Sequence, residues 1–285
     1  MLSVSIVTYH TAIEELDRCL KCLLASARVE WVMIVDNGGE AERIGKYCEG
    51  LQETRLQYFA HSNVGYGAGH NMALRRTSCK YHLVINSDVF FDHGTLEAIV
   101  DFLDKDENQD VVQLIPRVMN ADGSLQYVCR LLPSPIDLFG RRFLPASWFE
   151  KRNTRYTLAF TGYDRPMNVP YHMGCFMFLR VCALDTIAIP PSHRHPLKTY
   201  FDERYFLYPE DIDLTRRMHR IGRTLYWPGV TITHNHRQAS YHSWHMTVIH
   251  LREMCKYFAK WGWLSDRERK TFNEQVLAEV GQQDT

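Results

Sequence analysis

The stretch YHLVINSDVFFD, residues 81–92, begins as an apolar run and then places Asn86 and Asp88 where that run stops. The β-branched and aromatic residues at 81–86 are typical of a buried strand. Side chains two residues apart point to the same side of an extended segment. The sequence therefore predicts a core strand that delivers an amide and a carboxylate together to its carboxyl end.

Three similar runs precede this one, and segments with helical spacing of apolar residues separate them. The runs are VSIVTY (4–9), WVMIVD (31–36) and LQYFA (56–60), and the helical segments are 12–26, 40–52 and 69–77. This alternation predicts an α/β protein whose central sheet is mostly parallel and has helices on both faces. Further elements extend the pattern: a helix near 94–104, a strand near 111–116, a turn at 120–124, a helix near 210–221, a strand at 223–234 and a helical segment after 240.

The bulk properties of the chain exclude several classes of partner. Its 285 residues carry 33 basic and 33 acidic side chains, so no overall field recruits nucleic acid. No stretch approaches the roughly 20 apolar residues that a membrane-spanning helix needs. The eight cysteines are scattered, and without a secretory signal they are typical of reduced thiols. We expect a cytoplasmic protein that binds no nucleic acid.

Polar residues follow each of the four predicted strands, and the carboxyl ends of parallel strands are where ligands bind in such sheets. The candidates for this rim are Thr8, Tyr9, Asp36, Asn37, Asn63, Gly65, Asn86, Ser87 and Asp88. Oxygen ligands such as the Asp88 carboxylate suit a hard divalent cation that also contacts a diphosphate. For Asp36 and Asn37, an Asx turn that caps the next helix is the alternative.

The Gly-rich loop NVGYGAGHN, residues 63–71, has two interpretations. Its three glycines allow close approach of a ligand, and the helix start that follows offers free N–H groups to phosphate. The alternative is a turn that packs against the sheet. The glycine spacing and the position after the third strand do not match a dinucleotide fold.

The segment FDERYFLYPEDIDLTRRMHRIG, residues 201–222, is the densest cluster of charged residues. Pro209 favours the start of a helix, which places Glu210 and Asp211 in its first turn. An ionised carboxylate at a cleft mouth can act as a general base, although acidic side chains also stabilise helix starts without any chemistry. Four arginines follow, and they are either a solvated face or a phosphate contact. His234 and His236 are candidate metal ligands.

Taken together, these pieces resemble the inverting glycosyltransferases of family 2, which have the GT-A fold, and especially their rhamnosyltransferase-like branch. The matching segments appear in the family's order: VSIVTYH, MIVDNGG, NVGYGAGHN, VINSDV, MGCFMFLR, FDERYFLYPEDIDLTRRMHRIG and VTITHNH. They cover roughly residues 3–240. The resemblance implies a GT-A domain at 1–239, with a nucleotide-binding half at 1–120 and an acceptor and catalytic half at 121–239. A helical extension at 240–285 follows.

The resemblance also implies roles for individual residues. Thr8, Tyr9 and Asp36 would bind the nucleoside, with Asn37, Asn63, Gly65 and Ser87 also on the donor side, and Asn86 and Asp88 stand where the family keeps its DxD motif. Asp88 and His234 would hold Mn²⁺ or Mg²⁺. Gly174 and Cys175 would lie near the acceptor, and Glu210 and Asp211 match the ED motif, with Asp211 as the base. Asn86 in place of aspartate and His10 in place of asparagine depart from the family pattern.

The expected reaction is transfer of a sugar from TDP-rhamnose or a UDP-sugar to a hydroxyl group of a glycan or a polyprenyl diphosphate-linked acceptor in surface polysaccharide synthesis. The alternatives are a nucleotidyltransferase acting on sugar phosphates and a noncatalytic sugar-binding module. An aromatic and basic stripe at 246–264 suggests peripheral contact with the inner face of the plasma membrane, whereas core packing or a dimer contact would explain the same pattern.

Overall fold

Nine of the described strands form one mixed sheet at the centre of the molecule. The computed structural model describes residues 1–137, 146–191, 196–235 and 244–282. Its strands, in chain order, are β1 (Leu2–Thr8), β2 (Val29–Asp36), β3 (Leu56–Ala60), β4 (Tyr81–Ile85), β5 (Val89–Phe91), β6 (Val111–Met119), β7 (Cys129–Arg130), β8 (Met167–Asn168), β9 (Tyr171–His172), β10 (Phe176–Arg180) and β11 (Arg223–His234). His236 and the predicted boundary between residues 239 and 240 lie outside the described residues.

The helices of the described ranges cover the sheet and continue into the C-terminal part of the chain. They are α1 (Ile13–Leu24), α2 (Lys46–Gly50), α3 (Tyr66–Leu74), α4 (Thr95–Asp104), α5 (Ala146–Tyr156), α6 (Val181–Ile187), α7 (Pro209–His219), α8 (Trp244–Trp261) and α9 (Arg267–Gln282). In α1 the buried residues recur at helical spacing, at Leu16, Cys19, Leu20 and Leu23. This apolar face packs on the sheet and explains why the segment is helical.

The strand order is β3-β2-β1-β4-β10-β6-β11-β5, with β8 paired to β11. Strands β1 to β4 are parallel neighbours, as are β6 and β11, which confirms the mostly parallel sheet. Strand β10 runs antiparallel to both β4 and β6. Helix α6 follows directly after this antiparallel strand.

The predicted turn at 120–124 is confirmed. Asn120 N–H donates to the carbonyl oxygen of Ser124 at 2.8 Å, and Met119 and Leu125 form an antiparallel bridge. Gly123 has a φ of 80°, a left-handed conformation that glycine adopts without strain.

The C-terminal helices share the main hydrophobic core instead of forming a separate body. Met254, Tyr257 and Phe258 of α8 and Val276 and Val280 of α9 are buried in that core. The stripe that suggested a membrane contact packs mainly on protein, so the peripheral membrane interpretation is not supported. Within the described ranges, no helix combines the length and apolarity needed to cross a bilayer.

Candidate active site

Strands β1, β2 and β3 end level with one another, so their polar residues meet at one edge of the sheet. Thr8 pairs with Asp36, and Asp36 pairs with Ala60 in the strand register. Asn37 N–H donates to the carbonyl oxygen of Thr8 at 2.9 Å. The structure thus brings Thr8 and Asn37 together on the predicted rim.

Asp36 is fully buried and its carboxylate is occupied by protein donors. It accepts hydrogen bonds from the N–H groups of Gly38 at 2.8 Å and Glu40 at 2.7 Å, and from the hydroxyl group of Tyr58 at 2.7 Å. This is the Asx turn that was the alternative for this residue. Asp36 thus holds the turn at 36–40, and its expected contact with the nucleoside stays a prediction.

Other residues on this rim have polar atoms or aromatic rings that a ligand could contact. The hydroxyl oxygen of Thr8 and the amide oxygen of Asn37 have no hydrogen-bond partner within the described residues. The ring of Tyr9 is 57% exposed and lies 4.3 Å from the ring of His10, measured between centroids. Asn63 is exposed, and its amide oxygen accepts the N–H of Gly65 at 3.1 Å. Unsatisfied buried oxygens and an open ring suit a polar aromatic ligand.

The glycines of the 63–71 loop serve packing against other parts of the protein. Gly65 has a φ of 95°, and a Cβ there would lie 2.5 Å from the carbonyl oxygen of Phe206. A Cβ at Gly67 would lie 2.8 Å from Cβ of Phe201, and one at Gly69 would lie 2.7 Å from a methyl group of Val7. Gly65 therefore has a packing role, and its predicted donor contact stays a prediction.

Tyr66 connects the exit of β4 to the segment before β10. Its hydroxyl oxygen lies 2.8 Å from the amide oxygen of Asn86 and 2.8 Å from the carbonyl oxygen of Gly174. Asn86 N–H also donates to the carbonyl oxygen of Cys175 at 3.0 Å. Tyr66 was not among the residues expected from the sequence, although it stands in the middle of the Gly-rich loop. Through this hydrogen bond Asn86 holds the segment in place, and its predicted part in the donor site stays a prediction.

The chain turns directly after Asn86 instead of staying extended. Val89 N–H donates to the carbonyl oxygen of Asn86 at 3.3 Å, and Ser87 lies half-buried inside that turn. The expectation that Asn86 and Asp88 point the same way along one extended segment is therefore wrong. Asn86 contacts Tyr66, whereas Asp88 contacts β11.

Asp88 and His234 face each other because β5 pairs with β11, which sets Val89 opposite His234. The His234 Nε2 atom lies 3.3 Å from the Asp88 Oδ1 atom, and Nδ1 lies 2.8 Å from the amide oxygen of Gln126. Burial works against protonation of His234, but Cys175 and Asp88 outweigh it and raise the pKa to about 10. Gln126 is a second residue that the sequence analysis missed.

Gly174 joins this region to Asp211 in the first turn of α7. Gly174 N–H donates to the Asp211 Oδ2 atom at 2.9 Å. A Cβ at Gly174 would lie 3.2 Å from Cβ of Asp211, so a larger residue would crowd the carboxylate. A series of hydrogen bonds therefore connects Asn86 to Asp211 through Tyr66 and Gly174.

The carboxyl groups of Glu210 and Asp211 are both buried. Burial raises the pKa of Asp211 to about 7, although N–H groups of Ile212 and Gly174 and the charge of Arg130 lower it. Burial and the neighbouring Asp211 raise the pKa of Glu210 well above its usual range. Glu210 Oε2 has no hydrogen-bond partner among the described residues. Asp211 is therefore the group of the pair that ionises as the pH rises through about 7.

Comparison with known proteins assigns this arrangement to a family. Residues 3–185 match the family model of Glycosyl transferase family 2. The chain belongs to this family. It is also 26% identical over 260 residues to proteins of two Mycobacterium tuberculosis strains named N-acetylglucosaminyl-diphospho-decaprenol L-rhamnosyltransferase, which covers 82% of this chain and 76% of theirs.

Solved structures show the same fold at low sequence identity. The mannosyltransferase PcManGT from Pyrobaculum calidifontis, in complex with GDP-Man and Mn²⁺, has a TM-score of 0.56 at 13% identity, over 99% of this chain and 75% of that one. S. aureus TarS 1-349 in complex with UDP-GlcNAc has a TM-score of 0.57 at 13% identity, over 98% of this chain and 71% of that one. The chain is a glycosyltransferase with a GT-A-like fold.

The site of this glycosyltransferase suits a divalent cation at Asp88 and His234. Gln126 offers a carbonyl oxygen to Nδ1, which leaves Nε2 of a neutral His234 directed at the Asp88 carboxylate. A mixed carboxylate and imidazole pair fits Mn²⁺ chemistry. Among the described residues no three His, Cys, Asp or Glu side chains form a complete metal cluster. Substrate phosphate and water are suitable as further ligands.

The four arginines that follow Asp211 in the glycosyltransferase are paired with carboxylates. The partners are Asp266 and Glu268 for Arg216, Asp213 for Arg217, Glu268 for Arg220 and Asp110 for Arg223. Arg216 and Arg217 are buried. The solvated face is therefore wrong for these two arginines, whereas Arg220 is exposed and Arg223 is half-buried at the start of β11. The phosphate contact stays a prediction.

Proposed function

We propose that this glycosyltransferase moves a sugar from a nucleotide-sugar donor to a hydroxyl group of a polyprenyl diphosphate-linked sugar, with inversion at the anomeric carbon. The observation that carries the proposal is the unbroken set of contacts from Asn86 through Tyr66 and Gly174 to Asp211. It holds the buried carboxylate of Asp211 beside the segment that bears Asp88. The names of the M. tuberculosis relatives support a lipid-linked N-acetylglucosamine acceptor and transfer of rhamnose. TDP-rhamnose is therefore the first donor to test, with UDP-sugars as the second group.

On the donor side, we assign the nucleoside to Tyr9, Thr8, Asn37 and Asn63. Tyr9 offers an exposed ring on which a base can stack, and Thr8 and Asn37 offer oxygens without partners in the described structure.

Asp88 and His234 would hold Mn²⁺ or Mg²⁺. When bound, the cation would supply positive charge against the diphosphate that leaves. His234 must lose its proton to act as a ligand, so cation binding would release a proton.

On the acceptor side, Asp211 takes the proton of the attacking hydroxyl group. The acceptor oxygen forms a bond to C1 of the sugar as the bond from C1 to the diphosphate breaks, and the nucleoside diphosphate leaves. The N–H of Gly174 orients the Asp211 carboxylate, and Gly174 and Cys175 would flank the acceptor. Glu210 stays protonated, which leaves Asp211 as the single ionised group of the pair.

The test is release of nucleoside diphosphate by the purified protein with Mn²⁺, a nucleotide sugar and a short-chain prenyl diphosphate-linked N-acetylglucosamine. We expect release that depends on both donor and acceptor, together with a glycosylated lipid product of inverted configuration. Pyrophosphate release from a nucleoside triphosphate and a sugar phosphate would instead indicate a nucleotidyltransferase. Sugar binding without turnover for any donor would indicate a noncatalytic module.

An acceptor of this kind is carried by a membrane, and we place the protein at its cytoplasmic face during turnover. The buried α8 stripe is not the contact surface in this proposal.

A further inference from the structure

Arg130 is a guanidinium group beside the catalytic segment without a carboxylate partner. In the described structure it has no ion pair, and its Nε atom is buried without a hydrogen-bond partner. Its one side-chain hydrogen bond goes from Nη2 to the sulfur atom of Met173, at 3.4 Å. A thioether is a weak acceptor, so most of the donors of this cation are unused.

The groups that contact the Arg130 guanidinium are aromatic rings. The guanidinium carbon lies 5.9 Å from the ring centroid of Tyr156 and 5.7 Å from that of Tyr171. Such cation–π contacts stabilise a charge partly but do not neutralise it. The charge of Asp211 also acts on Arg130, but the two groups form no ion pair in the described structure, so the guanidinium keeps donors for an added anion.

Two buried arginines, Arg180 and Arg216, donate to oxygen acceptors, which Arg130 lacks in the described structure. Arg180 donates to the carbonyl oxygens of Leu103, Asn108 and Val111. Arg216 makes two 2.7 Å hydrogen bonds to the Asp266 carboxylate. Ordinary packing of an arginine in this fold therefore includes oxygen acceptors, and Arg130 has none within the described residues.

The position of Arg130 is on the acceptor side of the site. Arg130 in β7 pairs with Tyr171 in β9, and Met173, which accepts its hydrogen bond, directly precedes Gly174. Gly174 in turn binds Asp211. The charge of Arg130 is close enough to lower the pKa of Asp211, whereas the residues assigned to the donor diphosphate are Asp88 and His234.

We propose that Arg130 binds a phosphate group of the acceptor. This proposal rests on the proposed function, because it takes the acceptor to be a diphosphate-linked sugar. The planar fork of a guanidinium matches two phosphate oxygens and forms the stronger, charge-assisted class of hydrogen bond. Arg130 would distinguish a phosphate-bearing acceptor from a neutral glycan and hold its sugar hydroxyl near Asp211.

The first measurement is binding, which does not require turnover. The dissociation constant of geranyl diphosphate is measured calorimetrically for the wild type, Arg130→Gln and Arg223→Gln. Arg223 is the matched control because it lies at the start of β11, at the opposite end of that strand from His234. Its guanidinium group forms an ion pair with Asp110. We expect about 10-fold or greater weakening for Arg130→Gln alone, and partial recovery in Arg130→Lys. Equal affinity in the wild type and Arg130→Gln would overturn the proposal.

The second measurement separates acceptor binding from other roles. KM is compared for N-acetylglucosamine linked to a short prenyl diphosphate and for the same sugar on a neutral alkyl chain. Arg130→Gln should raise KM for the first acceptor only, with donor KM unchanged. Because the charge of Arg130 lowers the pKa of Asp211, the pH dependence of kcat should also move to higher pH in this variant. A higher donor KM would mean that Arg130 serves the donor phosphates, and a shifted pH profile with unchanged KM would mean that it only tunes Asp211. Either result overturns the acceptor assignment.

These experiments also distinguish the two proposals. Absence of transfer by the wild type to either acceptor contradicts the proposed function, whereas transfer that is indifferent to Arg130→Gln contradicts only the role of Arg130. Circular dichroism of each variant checks folding. If Arg130→Gln does not fold, Arg130→Lys carries the same comparisons, because it keeps the charge but loses the planar fork.

Discussion

Asp211 carries a carboxyl group whose ionisation near neutral pH decides whether the site has a base. Burial raises its pKa to about 7, so the base is protonated below this pH and ionised above it. We predict that kcat rises as pH increases through about 7, reaching a plateau near pH 8. The measurement is the pH dependence of kcat at saturating substrates, and a rate that is constant from pH 5.5 to 8 would contradict the prediction.

The hydroxyl group of Tyr66 holds Asn86 and Gly174 in place, so its loss tests the link between the two sides of the site. Tyr66→Phe leaves the Asn86 amide oxygen and the Gly174 carbonyl oxygen without this donor. We expect the free energy of unfolding to fall by about 1–3 kcal/mol and kcat to fall with it. Tyr9→Phe is the control, because the exposed Tyr9 should leave stability unchanged. Equal stability of the wild type and Tyr66→Phe would show that the hydrogen bonds of the Tyr66 hydroxyl group contribute nothing to the free energy of unfolding.

At this scale the sequence indicates which residue types meet, but not which atoms remain free. Asp88, Asp211 and His234 stand at strand and helix ends where the sequence predicts ligands, and the structure brings them to one region. The contacts of Asp36 could not be predicted in this way, because one of the three groups that donate to its carboxylate is the hydroxyl group of Tyr58 on another strand. The same holds for Arg130, since the absence of a partner is visible only after folding.

The Gly-rich loop is the element that ties α3 to the segment before α7. Gly65 combines a positive φ with a Cβ position 2.5 Å from the Phe206 carbonyl oxygen, whereas Gly39 has a φ of 67° and open space around it. We predict that Gly39→Ala loses about 1 kcal/mol, the usual cost of a left-handed conformation. Gly65→Ala should lose clearly more, because backbone must also move. Denaturant unfolding of the two variants checks this, and an equal loss in both would refute the packing role.

Elements with strong local signals were predictable, and elements defined by distant pairing were not. The runs that became β1, β2, β3 and β4 are apolar and β-branched, and β11 has the predicted limits 223–234. The antiparallel direction of β10 depends on its neighbours β4 and β6, and nothing within FMFLR specifies it. The turn after Asn86 was missed for the same reason, because pairing of β5 with β11 forces it.

For the whole molecule, the C-terminal helices are part of the enzyme's folding unit. The buried Arg216 of α7 binds Asp266, just before α9, through two hydrogen bonds. Asp266→Ala leaves that cation without its main counter-charge, so we predict a loss of about 3 kcal/mol or more in the free energy of unfolding. The control is Asp101→Ala, an exposed partner of Arg28, which should change stability by less than about 1 kcal/mol.

The two variants are compared by urea unfolding. A single transition that moves to lower urea in Asp266→Ala confirms one cooperative unit. A separate early transition confined to the C-terminal helices would contradict it. The aromatic stripe in α8 illustrates why sequence alone did not decide this point, because a helix face that packs on protein and one that lies on lipid have the same apolar pattern.

The central claim is that Asp211 is the base of a glycosyl transfer, and Asp211→Asn tests it most directly. The substitution keeps the shape of the side chain and an oxygen for the Gly174 N–H, but removes the group that accepts a proton. The measurement is kcat for acceptor-dependent release of nucleoside diphosphate, with donor affinity measured in parallel. We predict a fall in kcat of about 10²-fold or more at unchanged donor affinity. A kcat within a few-fold of the wild type would contradict the account.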